Sequence, residues 1–302
     1  MTNQYVEELY ELIYKDSEIE SELMLNKLGY FKFDIRKIDT YTTSLHIMNA
    51  FYKATKIQIC CDFSYVIEAL QTLIENNLHL QITKLDIKII TWDSPFMSWK
   101  NLSQFTNLKL LNIDSYTVSQ SGVIPDISSY IPLSLEALFI NNIPYYNIAF
   151  DKKINNSNLK VIQLYALKFN QSLDNLPQHL ETLIIKSGDF NQKIDNLPHS
   201  LKHLILMCPS FNKSLDNLPH GLEYFAGLQY NCFIYPEAPY QFELINLPSS
   251  IKTLLLDINL YDKEYQKLTE LYNHCKINNY TDFNNAEFII THLIKTLTTT
   301  TI

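Results

Sequence analysis

A chain of 302 residues with 46% hydrophobic, 13% aromatic and 19% charged residues has the make-up of a folded globular protein and excludes intrinsic disorder. A net charge of -8, with no Lys/Arg run to offset it, disfavours nucleic acid as a partner. No stretch of 18 apolar residues occurs, the first 23 residues are too acidic for a secretory signal, and five cysteines without framework spacing fit reduced thiols, so the expected location is cytoplasmic, away from any membrane.

Residues 1–50 open the chain with Val6, Leu9, Leu12 and Ile13 at helical spacing, and Leu23 to Tyr30 as a second helical stretch. They are expected to form a helical cap or an adaptor-binding module.

Residues 51–258 carry a six-residue template, L-x-x-L-x-(I/L). It reads LKVIQL from Leu159, LETLII from Leu180 and LKHLIL from Leu201, at a spacing of 21 residues. ATKIQI from Ala54, ITKLDI from Ile82, LKLLNI from Leu108 and LEALFI from Leu135 fit upstream; LEYFAG from Leu222 and IKTLLL from Ile251 fit downstream. Apolar residues at the fourth and sixth positions give the alternation of a short strand with one buried face. A single strand of this kind is unstable, whereas eight or nine stacked in register make a continuous parallel sheet.

Between the central templates lies FNQSLDNLP from Phe169, FNQKIDNLP from Phe190 and FNKSLDNLP from Phe211. Phe169, Phe190 and Phe211 are expected to stack as an aromatic spine. Asn170, Asn191 and Asn212 should satisfy the backbone groups of the turn, and Pro177, Pro198 and Pro219 should end it. Leu173, Ile194 and Leu215 point inward with Leu176, Leu197 and Leu218. Asp174, Asp195 and Asp216 would stack as carboxylates, for which turn hydrogen bonds are a better explanation than calcium, since one Asp per unit cannot supply six to eight oxygens.

The second template position alternates in sign: Lys109, Glu136, Lys160, Glu181, Lys202, Glu223, Lys252. Stacked in register, each charge sits between two of opposite sign, which any slip by one unit would reverse. Positions three and five face away from the core. Thr182, Ile184, His203, Ile205, Tyr224, Ala226, Thr253 and Leu255 would there form an apolar strip, read either as a partner-binding site or as a surface covered by the C-terminal tail.

Residues 259–302 place Tyr265, Leu268, Leu271 and Tyr272 at helical spacing and add a second helical pattern in NNAEFIITHLIKTL, so a helical cap with a frayed tail is expected. The chemistry-bearing residues assemble no site. His199 and His203 straddle a strand start, His179 and His220 read as turn residues, Cys60 and Cys61 point to opposite faces, and no glycine-rich loop exists. No catalytic residue, metal or cofactor is expected.

The three FNxxxDNLP copies with their following templates resemble FNIP repeats, a leucine-rich-repeat-like family of social amoebae and of giant viruses that infect amoebae. The resemblance implies an α/β-type repeat solenoid, a leucine-rich-repeat-like parallel sheet stack with mostly irregular connections and helical caps, serving protein–protein interaction in the cytoplasm, the host's if viral. Relatives of this kind that begin with an F-box imply substrate reception for a ubiquitin ligase through an SKP1-like adaptor. Residues 1–50 lack the F-box pattern, which leaves that role as an alternative, and a structural or virion-associated role as another.

Overall fold

The computed structural model describes residues 31–33, 53–92, 98–115, 125–228, 246–257 and 272–280. The two helical patterns of the N-terminal region, the helix expected from Asp262 as far as residue 271, and the tail after 280 lie outside the described residues; the end of that expected helix, from Tyr272 to Cys275, forms a turn leading into the last strand instead.

Among the described residues, eleven strands form one sheet in chain order with every pairing parallel. They are β1 (Phe31–Phe33), β2 (Lys56–Cys61), β3 (Lys84–Ile89), β4 (Leu110–Ser115), β5 (Ala137–Asn141), β6 (Val161–Tyr165), β7 (Thr182–Lys186), β8 (His203–Met207), β9 (Tyr224–Leu228), β10 (Thr253–Asp257) and β11 (Lys276–Tyr280). Each strand pairs with its sequence neighbours, the topology of a repeat solenoid in which every unit rests on the ones beside it. The third template positions are aligned throughout, Lys56 opposite Lys84, Lys84 opposite Leu110, and so on to Thr253.

One backbone device recurs at each step. The amides of template positions two and three both donate to the position-two carbonyl of the preceding unit, as Glu181 and Thr182 do to Lys160, and Lys202 and His203 to Glu181. The turn before each of β7–β10 is closed by the position-one amide donating to the carbonyl three residues back, which is Pro177 for Leu180, Pro198 for Leu201, Pro219 for Leu222 and Pro248 for Ile251. Proline gives up no needed donor there and supplies the acceptor.

The first, fourth and sixth positions of the template fill the core: Leu159, Ile162, Leu164, Leu180, Leu183 and Ile185 are all fully buried. β3 and β4 alternate between buried and half-buried residues along their length. Phe169, Phe190 and Phe211 form the expected spine, with ring centroids 6.0 and 5.9 Å apart and planes within 9° and 4° of parallel. Tyr146 extends it one unit upstream at 6.5 Å from Phe169. Equivalent rings near 6 Å apart, against a strand spacing of about 4.8 Å, mean that the central units fan out on the motif side. The sheet therefore lies on the inner side of the curve.

The sheet extends beyond the 51–258 array at both ends, through β1 in the expected N-terminal cap and β11 in the expected C-terminal one. β11 escapes the template because KINNY places Asn279 where an apolar sixth position is wanted. Among the described residues the connections are mostly irregular, with a few regular pieces in the earlier units. β2 and β3 are joined by a 13-residue helix, α1 (Phe63–Glu75), whose Phe63, Val66, Leu70 and Leu73 sit at helical spacing and are buried. Short 3-10 turns at Trp99–Gln104, Ser128–Tyr130 and Lys152–Asn156 serve the next three connections. Among the described residues, no helix is long and apolar enough to cross a membrane.

Candidate interaction face

The nine-residue motif is spent on holding units together. The side-chain oxygen of Asn170 accepts from the backbone N–H of Asn191 at 2.9 Å, that of Asn191 accepts from the N–H of Asn212 at 3.0 Å, and Asn147 starts the series by accepting from Asn170. The carboxylate column is relieved in the same way. Asn196 Nδ2 donates to Asp174, Asn217 Nδ2 to Asp195 and Asn246 Nδ2 to Asp216, each from the following unit. Ser172 and Ser214 donate to Asp174 and Asp216 within their own turns, and these hydrogen bonds hold both carboxyls below the usual range. The turn reading of this column therefore holds. Leu173, Ile194 and Leu215 are buried beneath it, with Leu176, Leu197 and Leu218.

Four of the six steps of the charge ladder form ion pairs. Glu136 bridges Lys109 at 2.9 Å and Lys160 at 3.2 Å, Lys202 meets Glu181 at 2.8 Å, and Lys252 meets Glu223 at 2.7 Å. Burial raises the Glu136 carboxyl, but hydrogen bonds from the two lysines outweigh it and the net shift is downward.

With the motif and the ladder committed to the frame, the residues free to vary are template positions three and five on the sheet face opposite the core. They do face that way. Ile184, Ile205, Met207, Ala226 and Leu255 form a cluster separate from the main core, edged by Tyr165 and Tyr224. Ala137, Phe139 and Val161, with Leu110 against them, form a second one earlier on the same face.

Of the two readings of the strip, an open site or a covered surface, its burial agrees with the second. Thr182, Ile184, Ile205, Ala226 and Leu255 are each at most 1% exposed, while His203, Tyr224 and Thr253 are half-buried. Neighbouring strands about 4.8 Å away flank a side chain on two sides and leave its tip uncovered, so near-zero exposure requires material above the sheet. Helix α1 and the 3-10 turns turn their buried apolar residues into the main core, not onto this face.

Across β2–β6 the same face also carries a row of hydrogen-bonded polar side chains, which passes beside the Ala137, Phe139 and Val161 cluster. Gln58 Nε2 donates to Asp86 at 2.6 Å, Asn112 Nδ2 donates to the other Asp86 oxygen at 2.7 Å, Asn141 Nδ2 donates to Asn112, and Gln163 Nε2 donates to Asn141 at 2.6 Å. This amide chain ends where the apolar strip begins, at the buried and unpartnered Oε1 of Gln163. Asp114 lies nearby; burial raises its carboxyl although Asn142 Nδ2 donates to it. The amide chain went unread in the sequence because its row at position five, Gln58, Asp86, Asn112 and Gln163, is broken by Phe139 and bridged from outside the template by Asn141. Asp86 and Asn112 share position five, whereas Asn141 is one step beyond the template.

His203 lies in the face, not at a turn, with Nδ1 3.2 Å from Thr182 Oγ1 and its ring 6.4 Å from that of Tyr224. Burial lowers its pKa. His179, His199 and His220 are exposed at turns, as expected. Cys60 is exposed while Cys61 packs toward the core. Among the described residues, no group of three or more metal-ligating side chains converges.

The family model of the FNIP Repeat matches residues 169–209, which hold the motif copies from Phe169 and Phe190 and the strands β7 and β8. No curated protein matches the chain. Two successive copies of motif and strand, stacked ring on ring and amide on amide, are the evidence on which this chain is an FNIP repeat-containing protein.

Proposed function

We propose that the chain is a non-catalytic scaffold for protein–protein interaction, with the inner sheet face as its recognition surface. The observation that carries this reading is the division of labour within each unit. Motif residues repeat because each bonds to its own copy next door, whereas positions three and five change from Lys84 and Asp86 to Leu110 and Asn112 to His203 and Ile205 without disturbing the register. A constant frame presenting a variable row of side chains suits recognition of an extended protein surface. The row from Thr182 to Leu255 would supply apolar anchors and the row from Lys84 to Asn112 the polar contacts.

The test is affinity capture with the full chain, with Tyr224→Asp and Thr253→Asp on the sheet face, and with Lys213→Asp on the exposed motif side as control. A protein retained by wild type and by the control but lost from the face variants, with unchanged melting curves, supports the reading. Retention by all of them places recognition elsewhere, and retention by none favours a structural role.

A further inference from the structure

The residues that β3 turns to the sheet face are Lys84, Asp86 and Lys88, and two of them meet a complementary group on β4. Lys88 lies opposite Asp114, and Asp86 receives Asn112 on one carboxylate oxygen and Gln58 of β2 on the other. Lys84 has no such match. It lies opposite Lys56 on one side and Leu110 on the other, all three half-buried. Among the described residues no hydrogen bond or ion pair reaches its ammonium. Burial, and after it the Lys56 charge, lower its pKa, the reverse of what an acidic neighbour produces. Like charges directly opposite on neighbouring strands destabilise a sheet. The fold tolerates here a juxtaposition that its ladder avoids one template position earlier, where Glu136 stands between Lys109 and Lys160.

A carboxylate set between the two ammonium groups relieves that repulsion with charge-assisted hydrogen bonds. Leu110, beside Lys84 and packed against Ala137, Phe139 and Val161, offers an apolar contact next to it. Asp86 and Asp114 on the adjoining rows disfavour nucleic acid or any other extended polyanion. We propose that Lys84, with Lys56, receives a side-chain carboxylate of a partner protein, from a segment in which an acidic residue is followed by an aliphatic one laid over Leu110. The inference rests on the sheet face being the recognition surface and names the chemistry met at its polar end.

The probe is a fluorescein-labelled peptide, Gly-Glu-Glu-Leu-Leu-Gly, compared with its glutamine counterpart Gly-Gln-Gln-Leu-Leu-Gly, each titrated with the full chain at low salt and followed by anisotropy. The glutamate peptide is expected to bind about fivefold tighter or more, a preference that fades as salt is added. Lys84→Gln should abolish the preference and Lys84→Arg should keep it, while Lys193→Gln, on the exposed motif side, should leave it unchanged. Lys84→Gln should also raise the melting temperature of the free protein, by about 1–2 °C, because it removes a like charge from beside Lys56. Equal binding of the two peptides, a preference that survives Lys84→Gln, or a lowered melting temperature in that variant would each overturn the proposal. Displacement of the peptide by equimolar inorganic phosphate would do so too, assigning the lysines to a free anion. A protein captured by wild type, lost from Tyr224→Asp and held undiminished by Lys84→Gln would leave the recognition reading standing and sink this one alone.

Discussion

Strands β6–β9 and strands β2–β5 build one sheet by different means. In the central units 21 residues separate equivalent positions, and each return path is the same nine-residue motif stacked on its copy. In the earlier units the separation is 26 to 28 residues, and the returns are α1 and 3-10 turns with side chains of their own. The aromatic packing shows the contrast: Phe169, Phe190 and Phe211 are nearly parallel, whereas Phe63 meets Trp92 and Trp99 at 4.9 Å with planes tilted by 43° and 52°. Both regions share the strand template and the paired amides on the preceding carbonyl. The sheet's register thus depends on the template, and the return path governs only how far apart units sit on the motif side. Repetition then makes each motif residue a rung between two copies of itself, where the irregular half relies on contacts made once.

The largest effect should come from breaking the spine at its middle. Phe190→Ala removes a ring stacked on both sides and should lower stability by about 3–5 kcal/mol, measured by urea denaturation. Because units touch only their neighbours, hydrogen exchange should show protection lost first in β7 and β8 while β2 and β3 keep theirs. Equal loss along the whole sheet would mean that the two regions unfold as one and that the contrast is only geometric.

A smaller loss is expected from Asn191→Ala, which leaves the backbone N–H of Asn212 without its acceptor. Asn212 is exposed and water can replace the lost acceptor, so the cost should be that of one ordinary hydrogen bond, about 0.5–1.5 kcal/mol. Asn191→Asp keeps an oxygen in place and should recover most of it in the same denaturation experiment. The matching change in the irregular half, Asn112→Ala, removes one link of an amide chain on the sheet face and should cost less, because Asp86 still receives Gln58. If Asn112→Ala proves the more damaging, the amide chain is the stronger of the two ladders.

How much could be read beforehand follows the same division. Every strand from β2 to β10 was legible with its register, because leucine and isoleucine at fixed template positions leave a single way to bury one face. Phe190, Asn191 and Pro198 were legible as frame because copies 21 residues apart in both directions show which positions stay constant. The helix α1 was legible in principle from Phe63, Val66, Leu70 and Leu73, but it occurs once and has no copy to align. β11 was hidden by Asn278 and Asn279, and the amide chain by Phe139, which interrupts its row and leaves the link to Asn141 outside the template. For the candidate face, alternation reports which way Ile184 and Ile205 point, and nothing local reports what lies above them.

Acid should separate the two halves of the face, with an effect smaller again. Burial holds the His203 imidazole below its ordinary pKa of about 6.5; Glu181 and Glu223, which oppose that shift, and Lys202 are the charges around it. The unfolded chain therefore takes up its proton first as pH falls, so the stability carried by neutral His203 is whole above about pH 6.5 and declines below it, down through the folded value. Thermal melts between pH 7.5 and 5 should show this decline in wild type and its loss in His203→Asn. The lowered carboxyls Asp174, Asp216 and Glu223 add their own loss only at lower pH, as they are protonated through their folded values. A decline that persists unchanged in His203→Asn would assign it to another group.

The smallest effect concerns the charge ladder, and it bears most directly on what makes the two regions one sheet. The alternation from Lys109 to Lys252 runs across the boundary between irregular and regular units, and four of its neighbouring pairs are within 3.2 Å. The Lys252, Lys202 and Glu223 side chains are 71%, 49% and 42% exposed, so water and salt screen each pair to about 0.2–1 kcal/mol. Glu181→Lys puts a like charge between Lys160 and Lys202, and Lys202→Glu does the same between Glu181 and Glu223. Made together they restore attraction at their shared step while leaving one repulsive step on each side. The double variant should therefore be more stable than the sum of the two single losses, by an amount that shrinks with added salt. Simple additivity at low salt would strip the ladder of any part in register and leave that task to the backbone amides alone.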